Sequence, residues 1–208
     1  TVRFAQRIDA IFADMSGDRP GYAVGVVSNG RLAIFRAYGV ADLETRAPIT
    51  ADTAFNLASL SKQFTAAAVA REIVRGRIGL DDPLGRHWPG LPAFLQPVTI
   101  GHLIYMTSGI PEYFTLPSPK GGWTSEDRFT VRDSLSAVFK ADRLLFQPGS
   151  RWAYNNSNYQ LLAALVARLN RTDFPTHMAR AVFQPLQMRH SWVDAPLQKR
   201  ASMARSYV

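Results

Sequence analysis

The sequence predicts an α+β fold with an unusually small sheet. Three observations carry this. β-Branched residues gather only near the front, on both sides of Asn29-Gly30; helical periodicity fills most of the remainder; and one helix, opening in "NLASLSKQFTAAAVAREIV", is apolar almost all round its first turns. With 208 residues, 47% apolar and 19% charged, the chain can bury one substantial core or two small ones, and it falls outside the disordered class.

Residues 3 to 15 place Phe4, Ile8, Ile11, Phe12 and Met15 near a 3.6-residue period, which predicts an opening helix stopped by Gly17 to Gly21. "YAVGVVSNGRLAIFRAYGVAD" then predicts a hairpin, because Asn29-Gly30 tolerates the positive φ values of a tight I′ turn. The apolar helix spans 59 to 75, with Gly76 as its stop. "DDPLGRHWPGLP" reads as extended loop, and Thr99 caps a short helix, "IGHLIYM", that ends at Ser108-Gly109.

Residues 111 to 128, rich in Pro, Gly and Ser, read as a long loop of the kind that often carries function. A helix near 130 to 140 follows. "FQPGSRWAYNNSNYQLLAALVARLN" starts as a Pro-Gly turn and becomes a helix that Asn156 or Ser157 can cap, and a last helix runs near 175 to 183. Two strands alone make a poor core element, so further strands are expected, yet the chain offers no convincing place for them. There is no internal repeat and no low-complexity segment.

Charge and composition exclude several functions. The formal charge of +8 comes from 24 basic against 16 acidic residues, but the 20 arginines are spread along the chain without a basic cluster or a nucleic-acid motif. No nucleic-acid partner is expected. No apolar run approaches the roughly 20 residues that span a bilayer. Cysteine is absent, which removes disulfides and thiolate metal sites. His87, His102, His177 and His190 show no H-E-x-x-H or close paired spacing, and there is no G-x-S-x-G elbow, so neither zinc nor a Ser-His-Asp triad is expected. His102 reads as structural. No metal and no cofactor is anticipated.

Two segments could do chemistry. Ser59-x-x-Lys62 places a hydroxyl and an amine one helical turn apart on the same face, close enough for the amine to take the hydroxyl proton. A helix N-terminus also favours an oxyanion forming nearby. The bland alternative is that Ser59 or Ser61 merely caps the helix while Lys62 reaches out to water. The second segment is Tyr154-Asn155-Asn156, between the Pro148-Gly149 turn and a helix. A phenol near a lysine can share its proton traffic, and a side-chain amide can hold both the lysine and a substrate carbonyl. Alone, it could equally be an ordinary aromatic and N-cap junction.

Taken together, these segments resemble the serine β-lactamase and penicillin-binding protein superfamily, in the branch of class C β-lactamases, related esterases and D-amino-acid-specific peptidases. "GYAVGVVSNGRLAIFRAYGVADLETRAPITADTAFNLASLSKQFTAAAV", "LDDPLGRHWPGLP", "VTIGHLIYMTSGIPEY", "FQPGSRWAYNNSNYQLLAALV" and "VFQPLQMRHS" occur in that family's order. The resemblance implies an α/β sandwich plus an all-helical subdomain. Residues 1–60 would be the N-terminal helix and hairpin of the α/β part and 61–208 the mainly helical part. It implies Ser59 as acylated nucleophile, Lys62 as its base partner, and Tyr154 and Asn156 as the Tyr-x-Asn pair. Tyr113 falls where the family lines its substrate cleft, and Tyr113, Phe114 and Trp123 suggest an aromatic cleft wall, although such residues serve equally as ordinary packing. The backbone N–H of Ser59 would be one half of the oxyanion hole.

One departure is plain: no Lys-Thr-Gly or His-x-Gly triplet follows Tyr154. That motif lies on a strand that would pair within the sheet, so these residues are expected to be the front part of a longer enzyme, with the C-terminal strands absent and a C-terminal fragment or second chain completing the fold. The expected function is a serine hydrolase acting through an acyl-enzyme on an ester, a D-amino-acid amide or peptide, or a β-lactam. The alternative is a penicillin-binding or sensing module of the same fold that does not turn over. Either takes a small-molecule or peptide substrate bearing an acyl group. The start at Thr1 fits a mature or trimmed product and equally an arbitrary cut in a longer chain; a periplasmic or secreted location is expected rather than a cytoplasmic one.

Overall fold

The computed structural model describes residues 2–15, 17–123, 129–193 and 203–207. These form two compact units, Thr1–Ala58 with Lys199–Val208, and Ser59–Gln198.

In the first unit, helix α1 (Val2–Ile11) lays Ala5 and Ile8 on a two-stranded antiparallel sheet, β1 (Tyr22–Ser28) and β2 (Arg31–Tyr38). Asn29 and Gly30 take φ of 50° and 72°, the left-handed values that a two-residue I′ turn requires. A register shift between Val26 and Val27 bends the ribbon. Ile34 meets Ala5 and Ile8 in a small core bordered by Phe12, Val24, Val26 and Tyr38. Asp9 ties helix to sheet, accepting from Arg36 Nε at 3.0 Å and from the Tyr38 hydroxyl at 2.7 Å.

The sequence pattern does not foresee the role of residues 203–207. Ala204 N–H donates to Ala54 O at 2.8 Å and Arg205 N–H to Ala41 O at 2.9 Å, while the Arg205 guanidinium reaches both Asp42 and Glu44.

The second unit holds the larger core. Helix α2 (Lys62–Val74) packs on α6 (Asn156–Asn170), and α4 (Ile100–Ile104), α5 (Val131–Phe139) and α7 (Phe174–Met178) also lean on α6; α3 (Leu84–His87) is a single turn between α2 and α4. Ala68 and Val69 of α2 are fully buried, as are Leu161, Leu162, Leu165 and Val166 of α6. The sequence expectation of a helix apolar almost all round is corrected here: α2 buries one face, Thr65, Ala68, Val69 and Glu72, at the i, i+3, i+4, i+7 spacing, while Gln63, Ala67, Ala70 and Val74 are exposed, the small alanines tolerating either side.

The helix stops are those the residues dictate. Gly76 takes φ +69°, its N–H donating to Ile73 O while Arg77 N–H donates to Glu72 O, a Schellman ending. The same turn carries the Arg77 guanidinium onto the fully buried Glu72 carboxylate. Thr99 and His102 form a reciprocal capping box on α4, with His102 Nδ1 accepting from Thr99 N–H, so His102 is structural as its position suggests. Three readings are refined. The stretch 81–92 contains α3, the loop after 111 contains a 3₁₀ turn over Tyr113–Thr115, and α7 continues as a π-helical turn over Ala179–Phe183. Residues 124–128 of that loop lie outside the described residues.

Candidate active site

Ser59 stands on a 3₁₀ turn, Ala58–Ser61, that leads directly into α2. Ala58 before it takes φ +44°, a left-handed conformation that is strained for a residue with a Cβ. Lys62, at the start of α2, donates from Nζ to Ser59 Oγ at 3.0 Å. The three-residue spacing therefore does what it predicts on a helical turn. Ser61 makes no capping hydrogen bond, which removes one of the bland readings.

Tyr154 comes to this pair from 95 residues away, its hydroxyl 2.6 Å from Ser59 Oγ with either oxygen able to donate. Lys62 Nζ also lies 4.9 Å from the centre of the Tyr154 ring and donates to Asn156 Oδ1 at 2.7 Å. The Lys62 ammonium first, and the Ser59 hydroxyl second, hold the Tyr154 phenol below its ordinary pKa; the Glu112 carboxylate opposes them. Ser59 is exposed and Tyr154 is 47% exposed, so both hydroxyl-bearing residues lie at an open surface of this unit.

What brings Tyr154 and Asn156 here is a seam between two loop segments. Gly149 N–H donates to Thr107 O, Ala153 N–H to Met106 O and Leu145 N–H to Gly109 O. Gly109 takes φ +74°, and a Cβ there would sit 2.1 Å from Phe146 O, so only glycine lets the segments approach. The seam ends at the start of α6. Asn155 Oδ1 caps Asn158 N–H at 3.0 Å while its Nδ2 donates to Ile110 O, and Ser157 Oγ donates to Pro111 O and accepts from Tyr113 N–H.

The cap is thus Asn155, one residue before the expected Asn156 or Ser157. The reason is chemical: Asn156 spends its side-chain oxygen on Lys62, and its N–H is taken by Glu112 Oε2 at 2.5 Å. Glu112, absent from the sequence-based site, also accepts from Asn156 Nδ2 at 3.2 Å. No local pattern marks it, since its partner lies 44 residues on; the only hint is a carboxylate set between Pro111 and Tyr113.

Tyr113 differs from expectation. Its ring is 4% exposed, clustered with Phe114, Trp123 and Phe129, and burial pushes its phenol up to about 12. The loop folds around Tyr113, and Phe114, 46% exposed, is the outward member of that group. Trp123 is half-buried, with Nε1–H donating to Leu116 O at 2.8 Å.

The beta-lactamase family model matches residues 4–208. The chain belongs to the beta-lactamase family. Within this family it is 33% identical over 190 residues to a beta-lactamase of Escherichia coli strain K12, an alignment covering 90% of this chain and 47% of that protein. Among solved structures it is similar to EstCE1, a hydrolase with promiscuous acyltransferase activity, at 27% identity and TM-score 0.71, covering 89% of this chain and 51% of that one. It is also similar to the octameric penicillin-binding protein homologue from Pyrococcus abyssi, at 25% identity and TM-score 0.72, covering 89% and 43%. The chain spans about half the length of the relatives it matches. Its fold is that of the beta-lactamase and transpeptidase group, represented by helices and one small antiparallel sheet. Among the described residues no helix is long and apolar enough to cross a membrane.

Proposed function

We propose that this chain carries the acylating centre of a serine hydrolase acting through a covalent intermediate on an ester, a D-amino-acid amide or peptide, or a β-lactam. The supporting observation is the triangle of Ser59 Oγ, Lys62 Nζ and Tyr154 Oη, with the amine 3.0 Å and the phenol 2.6 Å from the nucleophile. Ser59 Oγ would attack the acyl carbon as its proton passes to the Lys62–Tyr154 pair. The same proton would then go to the departing alcohol or amine as the carbon–oxygen or carbon–nitrogen bond breaks. Water, deprotonated by the same pair, would release the acid and restore Ser59. Which member of the pair holds the proton at each moment is a property of the coupled groups.

A second reading is capture of an acyl group by the same three side chains without turnover. Hydrolysis of a p-nitrophenyl ester by the 208-residue chain separates the two. Steady release of nitrophenol that is lost in Lys62→Ala supports the hydrolase. A single stoichiometric burst supports the capture module, and no release with no adduct on Ser59 removes both.

A further inference from the structure

Asn156 sits between two groups with opposite demands. Lys62 Nζ has donors only and meets Asn156 Oδ1 at 2.7 Å; an ionised Glu112 has acceptors only and meets both Asn156 N–H and Nδ2 through Oε2. An amide held between an ammonium and a carboxylate has one allowed orientation, because the flipped form would turn its NH₂ on the ammonium and its carbonyl on the carboxylate. Glu112 Oε1 is buried with no hydrogen-bond partner among the described residues, a costly arrangement for a residue needed only as a cap. The α6 cap is in any case already supplied by Asn155.

We propose that Glu112 is the positioning residue of this site, fixing the Asn156 amide so that its oxygen, and never its nitrogen, faces Lys62 and holds that amine against Ser59. The inference rests on the acyl-transfer reading of Ser59. Glu112 touches no reacting atom; it acts through Asn156. Glutamine is the informative replacement, since it keeps the shape but adds a donor that can bond Asn156 Oδ1 and release the flipped amide. Aspartate keeps an acceptor-only group.

Three charged or titratable groups face the Tyr154 phenol: Lys62 from α2, Glu112 from the loop before Tyr113, and Tyr159 from α6. The Glu112 charge works against ionisation of that phenol and Lys62 favours it, so a Glu112 variant that also displaces Lys62 disturbs the Tyr154 titration through both groups.

The test uses wild type, Glu112→Gln and Glu112→Asp, with three readouts: the rate of Ser59 modification by a fluorophosphonate, the melting temperature, and the titration of Tyr154 followed by ring ¹³C NMR and assigned with Tyr154→Phe. Glu112→Gln is expected to slow modification by about tenfold to a hundredfold without a matching fall in Tm, the size of effect that follows from misplacing a reacting group. Its Tyr154 titration is expected to be displaced from the wild-type position, and Glu112→Asp is expected to recover more of the rate than Glu112→Gln. Modification of Glu112→Gln at the wild-type rate would overturn the proposal, as would a loss of rate that tracks lost Tm in both variants. If wild-type Ser59 is not modified at all, the acyl-transfer reading fails by itself. The role of Glu112 is then decided by NMR: a Tyr154 titration and Asn156 side-chain amide resonances unchanged in Glu112→Gln overturn it, and displaced ones support it.

Discussion

At the scale of single residues, the site is a chain of donors and acceptors from Ser59 through Lys62 and Asn156 to Glu112, with Tyr154 closing it on Ser59 Oγ. Lys62 is the hub, and its removal has a signed consequence. Because the ammonium is the largest influence holding the Tyr154 phenol down, Lys62→Ala should move the Tyr154 titration to higher pH. Any limb of the rate profile governed by Tyr154 should move the same way, and Ser59 acylation should slow by about a hundredfold or more. Absorbance at the phenolate band, differenced against Tyr154→Phe, reads the first effect; a titration that stays in place would show that the two side chains do not interact in solution. Ser59 and Lys62 were legible in the sequence because a helical turn converts a spacing of three into contact. Tyr154 was legible only through its resemblance to a Tyr-x-Asn motif. Glu112 was not legible, since a hydrogen bond across 44 residues leaves no periodic trace. The burial of Tyr113 was not legible either, because an aromatic residue in a loop looks the same in sequence whether it lines a cleft or anchors the loop from within.

At the scale of elements, α2 and α6 position the chemistry and each brings it at its N-terminal end. α2 was legible as a helix but not as one buried on a single face, because its run of alanines hides which side is covered; its Gly76 stop is where the sequence places it. The start of α6 was legible to within one residue, and the error is instructive, because three consecutive polar residues can each cap a helix and only tertiary partners decide which does. Asn155 takes the role because Ile110 O receives its amide while Lys62 and Glu112 occupy Asn156. Asn155→Ala should therefore cost about 2–4 kcal/mol, combining a lost N-cap with a buried carbonyl left unpaired. It should also slow Ser59 acylation, since Tyr154 and Asn156 flank it. Chemical denaturation of the variant checks the first part, and a loss under about 0.5 kcal/mol would show that the seam does not depend on this residue. The π-helical continuation of α7 had no sequence signature, because it differs from an α-helix only in where carbonyls point.

At the scale of the whole molecule, the α+β class was legible from where the β-branched residues lie, and the shortage of strands noticed in the sequence persists in the two-stranded sheet of the described residues. The pairing of residues 203–207 with Ala41 and Ala54 was not legible, because short bridges between distant backbone groups place no demand on side-chain type. The charge of +8 stays dispersed in ion pairs such as Arg36–Asp9 and Arg86–Asp82, in keeping with a solvated basic surface. The proposed function rests on one serine, Ser59, and its contacts with Lys62 and Tyr154. The measurement that tests this most directly is peptide mapping by mass spectrometry after the chain is treated with a fluorophosphonate. One adduct per chain, carried by the peptide that contains Ser59 and lost in Ser59→Ala, is the predicted result. An adduct on another residue, or one that survives in Ser59→Ala, would contradict the account.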